Sequence, residues 1–221
     1  MVAARPRRPP DPDAPRGAGP GRPKDLAKRD AILEAAKGLF VRLGFDAVSM
    51  DQIAAEAGVS KLTVYSHFGD KDALFAAAVE SHCAQALPDS LLQAHPHMPI
   101  RERLTEIATA FYTMIASPEA IAGHRILCSP RLADSPLPQS FWDAGPRRVQ
   151  ERFAALLDTR VAAGDLDIPD TALAASQFFT LLKGEPHARM VFGCDCAEPR
   201  LAAPAHIAAS VDMFLRAYAA R

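Results

Sequence analysis

No apolar run in this sequence approaches the roughly 20 residues a helix needs to cross a bilayer, so no membrane partner is expected. The first residues carry arginines but no apolar core segment and are not read as a secretory signal, which predicts a cytoplasmic protein. Cysteine is scarce and scattered (Cys83, Cys128, Cys194, Cys196), too little for a disulfide framework. A net charge of −1 excludes a chain that is basic throughout. Nucleophile elbows, phosphate loops and convincing acid–base pairs are missing. Ser129-Pro130 lacks the flanking glycines of an elbow, so neither an enzyme nor a cofactor is expected. Strand-like alternation is lacking as well, and repeats are absent.

What is present points to helices. Of 221 residues 49% are apolar, much of that alanine, and the length suffices for one large domain or two small ones. Charge is unevenly spread. Residues 1–71 hold 12 Lys and Arg against 9 Asp and Glu, the remainder 13 against 17. A mildly basic front and an acidic rear suit nucleic-acid contact confined to the first third.

Residues 1–24 form a Pro/Arg-rich arm. Seven prolines and three glycines before position 24 leave it unable to bury enough apolar surface to offset its ordering entropy, so disorder is expected. Its end, GRPK, offers Arg22 and Lys24 to a minor groove; the alternative is a solubilising tail. From Asp25 the pattern turns helical. Ile32, Ala35, Ala36, Leu39, Phe40 and Leu43 make one stripe, and Gly44 ends it.

The stretch Ser49 to Phe75, SMDQIAAEAGVSKLTVYSHFGDKDALF, carries the functional signal. Ser49 with Gln52 reads as a capping box, Gly58 supplies a tight turn that needs a positive φ, and Ser60 caps the next helix. Two short helices pinched around a glycine turn are the layout of a helix-turn-helix, whose second helix enters the major groove. Val64 and Phe68 are assigned inward. Lys61, Leu62, Thr63, Tyr65, Ser66 and His67 remain for base edges and phosphates, while Ser49, Ser60 and Lys71 stand at helix N-termini suited to phosphate. A plain three-helix bundle with a polar face is the competing reading.

Residues 29–75 resemble the N-terminal domain of the TetR family of transcriptional regulators, through AILEAAKGLFVRLGFDAVSM, the stretch above and the pair Tyr65 and Phe68. The resemblance implies an all-α homodimer of about nine helices, with DNA contacts at positions matching Thr63, Tyr65, His67 and Lys71. It also implies a three-helix DNA-binding domain at 25–71 and a helical effector and dimerisation domain at 72–221. Residues 109–219 more loosely resemble the C-terminal domain of AefR-like members, through FWDAGPRRVQERFAALL, GDLDIPDTALAASQFFTLLKG and VDMFLRAY. That likeness implies a dimer through the last two helices.

Further helices are predicted at about 70–86, 100–116, 118–133, 140–163, 170–191 and 203–219. A small organic effector would sit among the middle ones, with apolar walls from Phe111, Tyr112, Ile115, Leu127 and Cys128 and from Phe141, Trp142, Phe153 and Phe178. His124 and Arg131 are its polar candidates. Phe178, Phe179, Leu182, Val211, Phe214, Leu215 and Tyr218 form stripes suited either to a four-helix dimer interface or to intramolecular core. Cys194 and Cys196, with His187 and His206 nearby in sequence, are spaced too closely for an ordinary zinc site, and no metal is assigned. The function expected is a homodimeric repressor released from a palindromic double-stranded operator by a small molecule. An interaction module that has lost DNA binding is the alternative.

Overall fold

The computed structural model describes residues 25–93, 98–132, 134–194 and 203–220. The arm with Arg22 and Lys24, Cys196 and the Arg131 side chain lie outside what is described. The described residues form ten α-helices. Four of them, α1 (Leu26–Leu43), α2 (Met50–Glu56), α3 (Lys61–Phe68) and α4 (Lys71–Ala86), build the N-terminal head and its connection onward. The body comprises α5 (Ile100–Ile115), α6 (Pro118–Leu127), α7 (Leu137–Ala144), α8 (Pro146–Ala162), α9 (Thr171–Phe192) and α10 (Ala203–Tyr218). An isolated antiparallel bridge, Leu166 to Ala219, ties the α8–α9 turn to the end of α10.

The head follows its local signals closely. Asp25 caps α1 by accepting from the Ala27 and Lys28 amides. The Ser49–Gln52 capping box is formed in both directions, and Gly58 has φ +65°. A cap of this kind contributes about 1 kcal/mol. Along α1, Ile32, Leu33, Ala36, Leu39 and Phe40 are buried, whereas Leu43, assigned to the stripe, is 50% exposed. Leu43 precedes the turn, and the loop residues Phe45 and Val48 fill the core in its stead. The rings of Phe40, Phe45 and Phe75 meet in a triangle with centroids 5.3–5.6 Å apart, two of the contacts edge-on.

That core does not stop at the head. Leu74, Phe75 and Ala78 of α4 belong to it, and so do Leu132 and Leu137, which arrive from the body. The helix expected at 118–133 ends at Leu127, because Pro130 cannot continue it and starts a 3-10 turn over Pro130–Leu132. Ser117 caps α6 with Pro118 at the first helical position. The long helix expected at 140–163 is two helices, parted at Gly145 and restarted by Pro146. Gly145 is needed there for room: a Cβ at this position would stand 3.0 Å from both Cys83 Sγ and Val79 Cγ1 of α4.

The body has its own core, centred on Phe153, Phe178 and Phe214, all fully buried. Phe153 stacks on Phe178 at 4.8 Å, and Phe214 meets Phe178 edge-on at 5.0 Å. Helix α9 is bent rather than continuous. Gly184 has φ +46° and Pro186 follows, so Leu182 loses the amide that an unbroken helix would aim at its carbonyl. His206 of α10 takes that place, its Nε2 2.9 Å from the Leu182 oxygen.

Candidate nucleic-acid interface and an internal cavity

Helix α3 turns Val64 and Phe68 into the head and leaves Lys61, Leu62, Tyr65 and Ser66 exposed. Leu62 is 78% exposed, the bare tip of an otherwise polar surface. Lys61 forms an exposed ion pair with Asp51 at 2.9 Å and lies 6.0 Å from the Tyr65 ring centroid. The hydrogen bond and charge of Asp51 hold the Lys61 ammonium above its ordinary range. An exposed pair of this kind is worth little and yields to a phosphate.

Other expected contacts are already engaged within the head or partly buried. The Thr63 and Ser60 hydroxyls share a 2.8 Å hydrogen bond, and the Ser66 hydroxyl donates to the Thr63 carbonyl. His67 is half-buried beside the Phe68 ring, with Nδ1 buried and without a hydrogen-bond partner among the described residues. Lys71 donates to the carbonyls of Phe45 and Val48 at 2.9 and 3.1 Å, with its ammonium 4.3 Å from the Phe45 ring centroid. Two of its three N–H donors therefore brace the loop between α1 and α2, leaving one for a phosphate. Arg29, which sequence reasoning passed over, lies across the Phe68 ring at 5.3 Å.

Beneath the head lies a cavity of about 140 Å³. Its walls come from α1 (Phe40, Val41), from α4 (Phe75, Val79, His82, Cys83) and from α5, α6, α7, α8 and α9. Phe111, Ile115, His124 and Phe141 line it, as expected from the sequence. Tyr112, Leu127, Cys128, Trp142, Phe153 and Phe178 do not, each for a visible reason. Phe153 and Phe178 are the centre of the body core, and Tyr112 is buried against the His206 ring. Leu127 packs onto the head core, Cys128 is exposed, and Trp142 is 40% exposed.

Sequence reasoning missed the walls given by α4 and α9, namely His82, Cys83, Phe179 and Lys183. The α4 signal was legible: Phe75, Ala78 and His82 recur at helical spacing on one face. Burial pushes the Cys83 thiol up to about 11, so it is an unreactive part of the wall. Burial also holds His124 and, further down at about 4, His187 below the ordinary histidine range.

Most of the stripe residues of α9 and α10 are packed in core. Phe178, Phe179, Leu182, Val211, Phe214 and Leu215 are all buried within one chain, and Tyr218 donates its hydroxyl to Gln177 at 2.6 Å. The six buried ones serve the core of their own chain, whereas Tyr218 is half-buried. The large apolar residues of these helices that face outward are Leu173 and Phe192 of α9 and Met213 of α10, 53%, 79% and 58% exposed. Among the described residues no group of three or more His, Cys, Asp or Glu side chains could hold a metal, and no helix is long and apolar enough to cross a membrane.

Two family models cover most of the chain. Residues 32–78 match the N-terminal domain of the bacterial regulatory proteins of the TetR family, and residues 102–220 match the C-terminal domain of AefR-like transcriptional repressors. The chain belongs to the TetR family. As a TetR-family protein it is a DNA-binding transcriptional regulator, and this family and fold are not those of enzymes. Its structure is similar to that of a TetR-family transcriptional regulator from Mesorhizobium loti, with a TM-score of 0.73 and 28% identity, covering 88% of this chain and 98% of that one. It is also similar to the flavonoid-responsive regulator FrrA, with a TM-score of 0.68 and 31% identity, covering 89% and 100% of the two chains. Among curated relatives, the helix-turn-helix transcriptional regulator YdeS of Bacillus subtilis is 43% identical over 68 residues, 31% of this chain and 34% of that protein. The transcriptional activator FasR of Mycolicibacterium smegmatis is 34% identical over 93 residues, 42% of each. The chain thus spans well under half the length of these two curated relatives.

Proposed function

We propose that this TetR-family chain is a cytoplasmic homodimeric repressor that binds a palindromic operator and leaves it when a small organic effector fills the cavity. The observation that carries the reading is the cavity's position. Its walls include Phe40 and Val41 of α1 and Phe75, Val79 and His82 of α4, so a molecule inside would press directly on the head. In the division of labour we infer, residues 25–71 read DNA and residues 72–221 sense and dimerise, with α4 as the lever between them.

One short helix reads too few base pairs for specificity, whereas a dimer sets two recognition helices about 34–36 Å apart on successive major grooves. The outward faces of α9 and α10, around Leu173 and Met213, are the surfaces we assign to pairing. On DNA we assign Lys61, Leu62, Thr63, Tyr65, Ser66 and His67 to the groove. Ser49, Ser60 and Lys71 are assigned to phosphates. An effector acts by preferring the dimer whose recognition helices are wrongly spaced or tilted.

Repression, rather than the activation named for FasR, is favoured because the C-terminal match is to a repressor domain and extends over 102–220. The test is a fluorescence-anisotropy titration of the promoter beside the chain's own gene, repeated with candidate effectors. Operator affinity unmoved by any compound that binds the cavity would sink the release mechanism and leave the DNA-binding half intact.

A further inference from the structure

Most of the cavity wall is apolar, with the rings of Phe40, Phe75, Phe111, Phe141 and Phe179. On the α9 side Lys183 reaches the wall. The wall's other polar members include His82, Glu119, Gln150 and Lys37, whose ammonium is already paired with Glu34 at 2.8 Å. Among the described residues no carboxylate pairs with its amine and no acceptor bonds to it. Two more basic side chains gather at the same place. His124 lies on the wall, and the rings of His124 and His187 meet edge to face at 4.8 Å. Both histidines feel the Lys183 charge, which adds to burial in disfavouring their protonated forms. The amine of Lys183 is itself held below its ordinary range by burial.

His124 donates Nδ1–H to the Ala120 carbonyl at 2.7 Å, and His187 Nε2 is buried without a hydrogen-bond partner among the described residues. Glu119 is the carboxylate on the wall, and its charge favours protonation of His82, not of these three groups. A half-buried ammonium whose charge both imidazoles feel, with no anion paired to it among the described residues, is an arrangement that burial penalises and a counter-ion relieves. The described residues supply no counter-ion to Lys183, and the adjoining wall includes the Phe179 ring.

Resting on the reading of this cavity as the effector site, we propose that its ligand is an aromatic acid: a flat ring system lodged among the phenylalanines, with one carboxylate on the Lys183 amine. His124 and His187 stand behind that ion pair and set where the carboxylate end lies. The ring buries apolar area, while the carboxylate decides orientation and selectivity over neutral aromatics of the same shape.

The test is isothermal titration of the full chain near neutral pH with three probes, 2-naphthoate, 2-naphthamide and 2-naphthol. The expected result is binding of 2-naphthoate about ten-fold or more tighter than the isosteric amide. Lys183→Met should erase that preference while leaving amide affinity close to that of the unaltered chain. Failure of all three probes to bind, equal affinity for acid and amide, or a preference that survives Lys183→Met would each overturn the proposal. Naphthol binding as tightly as naphthoate would overturn the carboxylate assignment in favour of a phenol. Should Lys183→Met not fold, the acid-to-amide ratio of the unaltered chain decides alone. Operator release is measured separately. Acid-selective binding without release would sink the effector reading and spare this one, whereas release by neutral aromatics alone would do the reverse.

Discussion

His206 of α10 donates its Nε2 proton to the carbonyl of Leu182 in α9 across 2.9 Å, supplying the partner that Pro186 cannot. A side chain from one helix thereby completes the hydrogen bonding of another at its bend, and the bend aims the next turn of α9, with His187, toward His124.

Replacing His206 by leucine strands that carbonyl, and a buried unpaired acceptor costs about 1–3 kcal/mol. Gly184→Ala is expected to cost a similar amount, through a backbone strained at φ +46° and a Cβ 3.2 Å from His206 Cε1. Urea denaturation measures both. A double variant should lose less than the sum, because both changes act on one bend.

Lys71→Met removes two charge-assisted donors from the Phe45 and Val48 carbonyls and should destabilise the head by about 2 kcal/mol. Tyr65→Ala, at an exposed position, should leave stability within about 0.5 kcal/mol and weaken operator binding. Comparing unfolding midpoints with anisotropy titrations at two salt concentrations separates the brace from the contact. A Tyr65→Ala chain that binds operator normally would count against the groove assignment.

Gly145→Ala places a Cβ 3.0 Å from Cys83 Sγ and Val79 Cγ1, and overpacking of this order costs about 1–3 kcal/mol. Since Cys83 and Val79 also line the cavity, the same change should alter affinity for a cavity ligand, as titration calorimetry would reveal.

Stability should fall with acid through a window set by His187. Its folded-state value of about 4 lies below the ordinary 6.5, so between those limits the unfolded chain binds more protons. The contribution of the neutral ring is therefore complete above about 6.5 and is lost as pH falls toward 4. His187→Gln should flatten the pH dependence of the urea midpoint across that interval. An unchanged slope would mean that the ring protonates freely in the folded protein.

Pairing through α9 and α10 predicts that Met213→Arg, an exposed change, leaves folding intact and yields monomers at micromolar concentration by light scattering. Operator affinity should drop with the dimer. A dimer that persists would move the interface elsewhere.

The head was readable because its signals are local. The Ser49–Gln52 box, Gly58 and the Ser60 cap each act within a few residues, and each is found where the pattern put it. Leu43 misled because a stripe that is helical in period does not say where the chain will turn away, and Phe45 lay just past that turn. In the body the decisive facts are contacts far apart in sequence. An apolar stripe on α9 is equally suited to a neighbouring helix or a second copy, and only packing against Phe153 and Phe214 shows that Phe178 serves the former. The division at Gly145-Pro146 was written in the sequence but outweighed by the apolar periodicity on either side. Lys183 was invisible as a wall residue, since the helices that close the cavity around it lie far apart in sequence.

Leu132 and Leu137 fill the core of the head although they lie far beyond it along the chain. The two halves therefore cannot be traded as independent parts. A head cut after α4 would expose an apolar hollow beside Phe75 and Ala78, inviting aggregation. A chimaera that grafts this head onto a foreign sensor must carry the segment 130–141 with it, or supply equivalent leucines from its own corner.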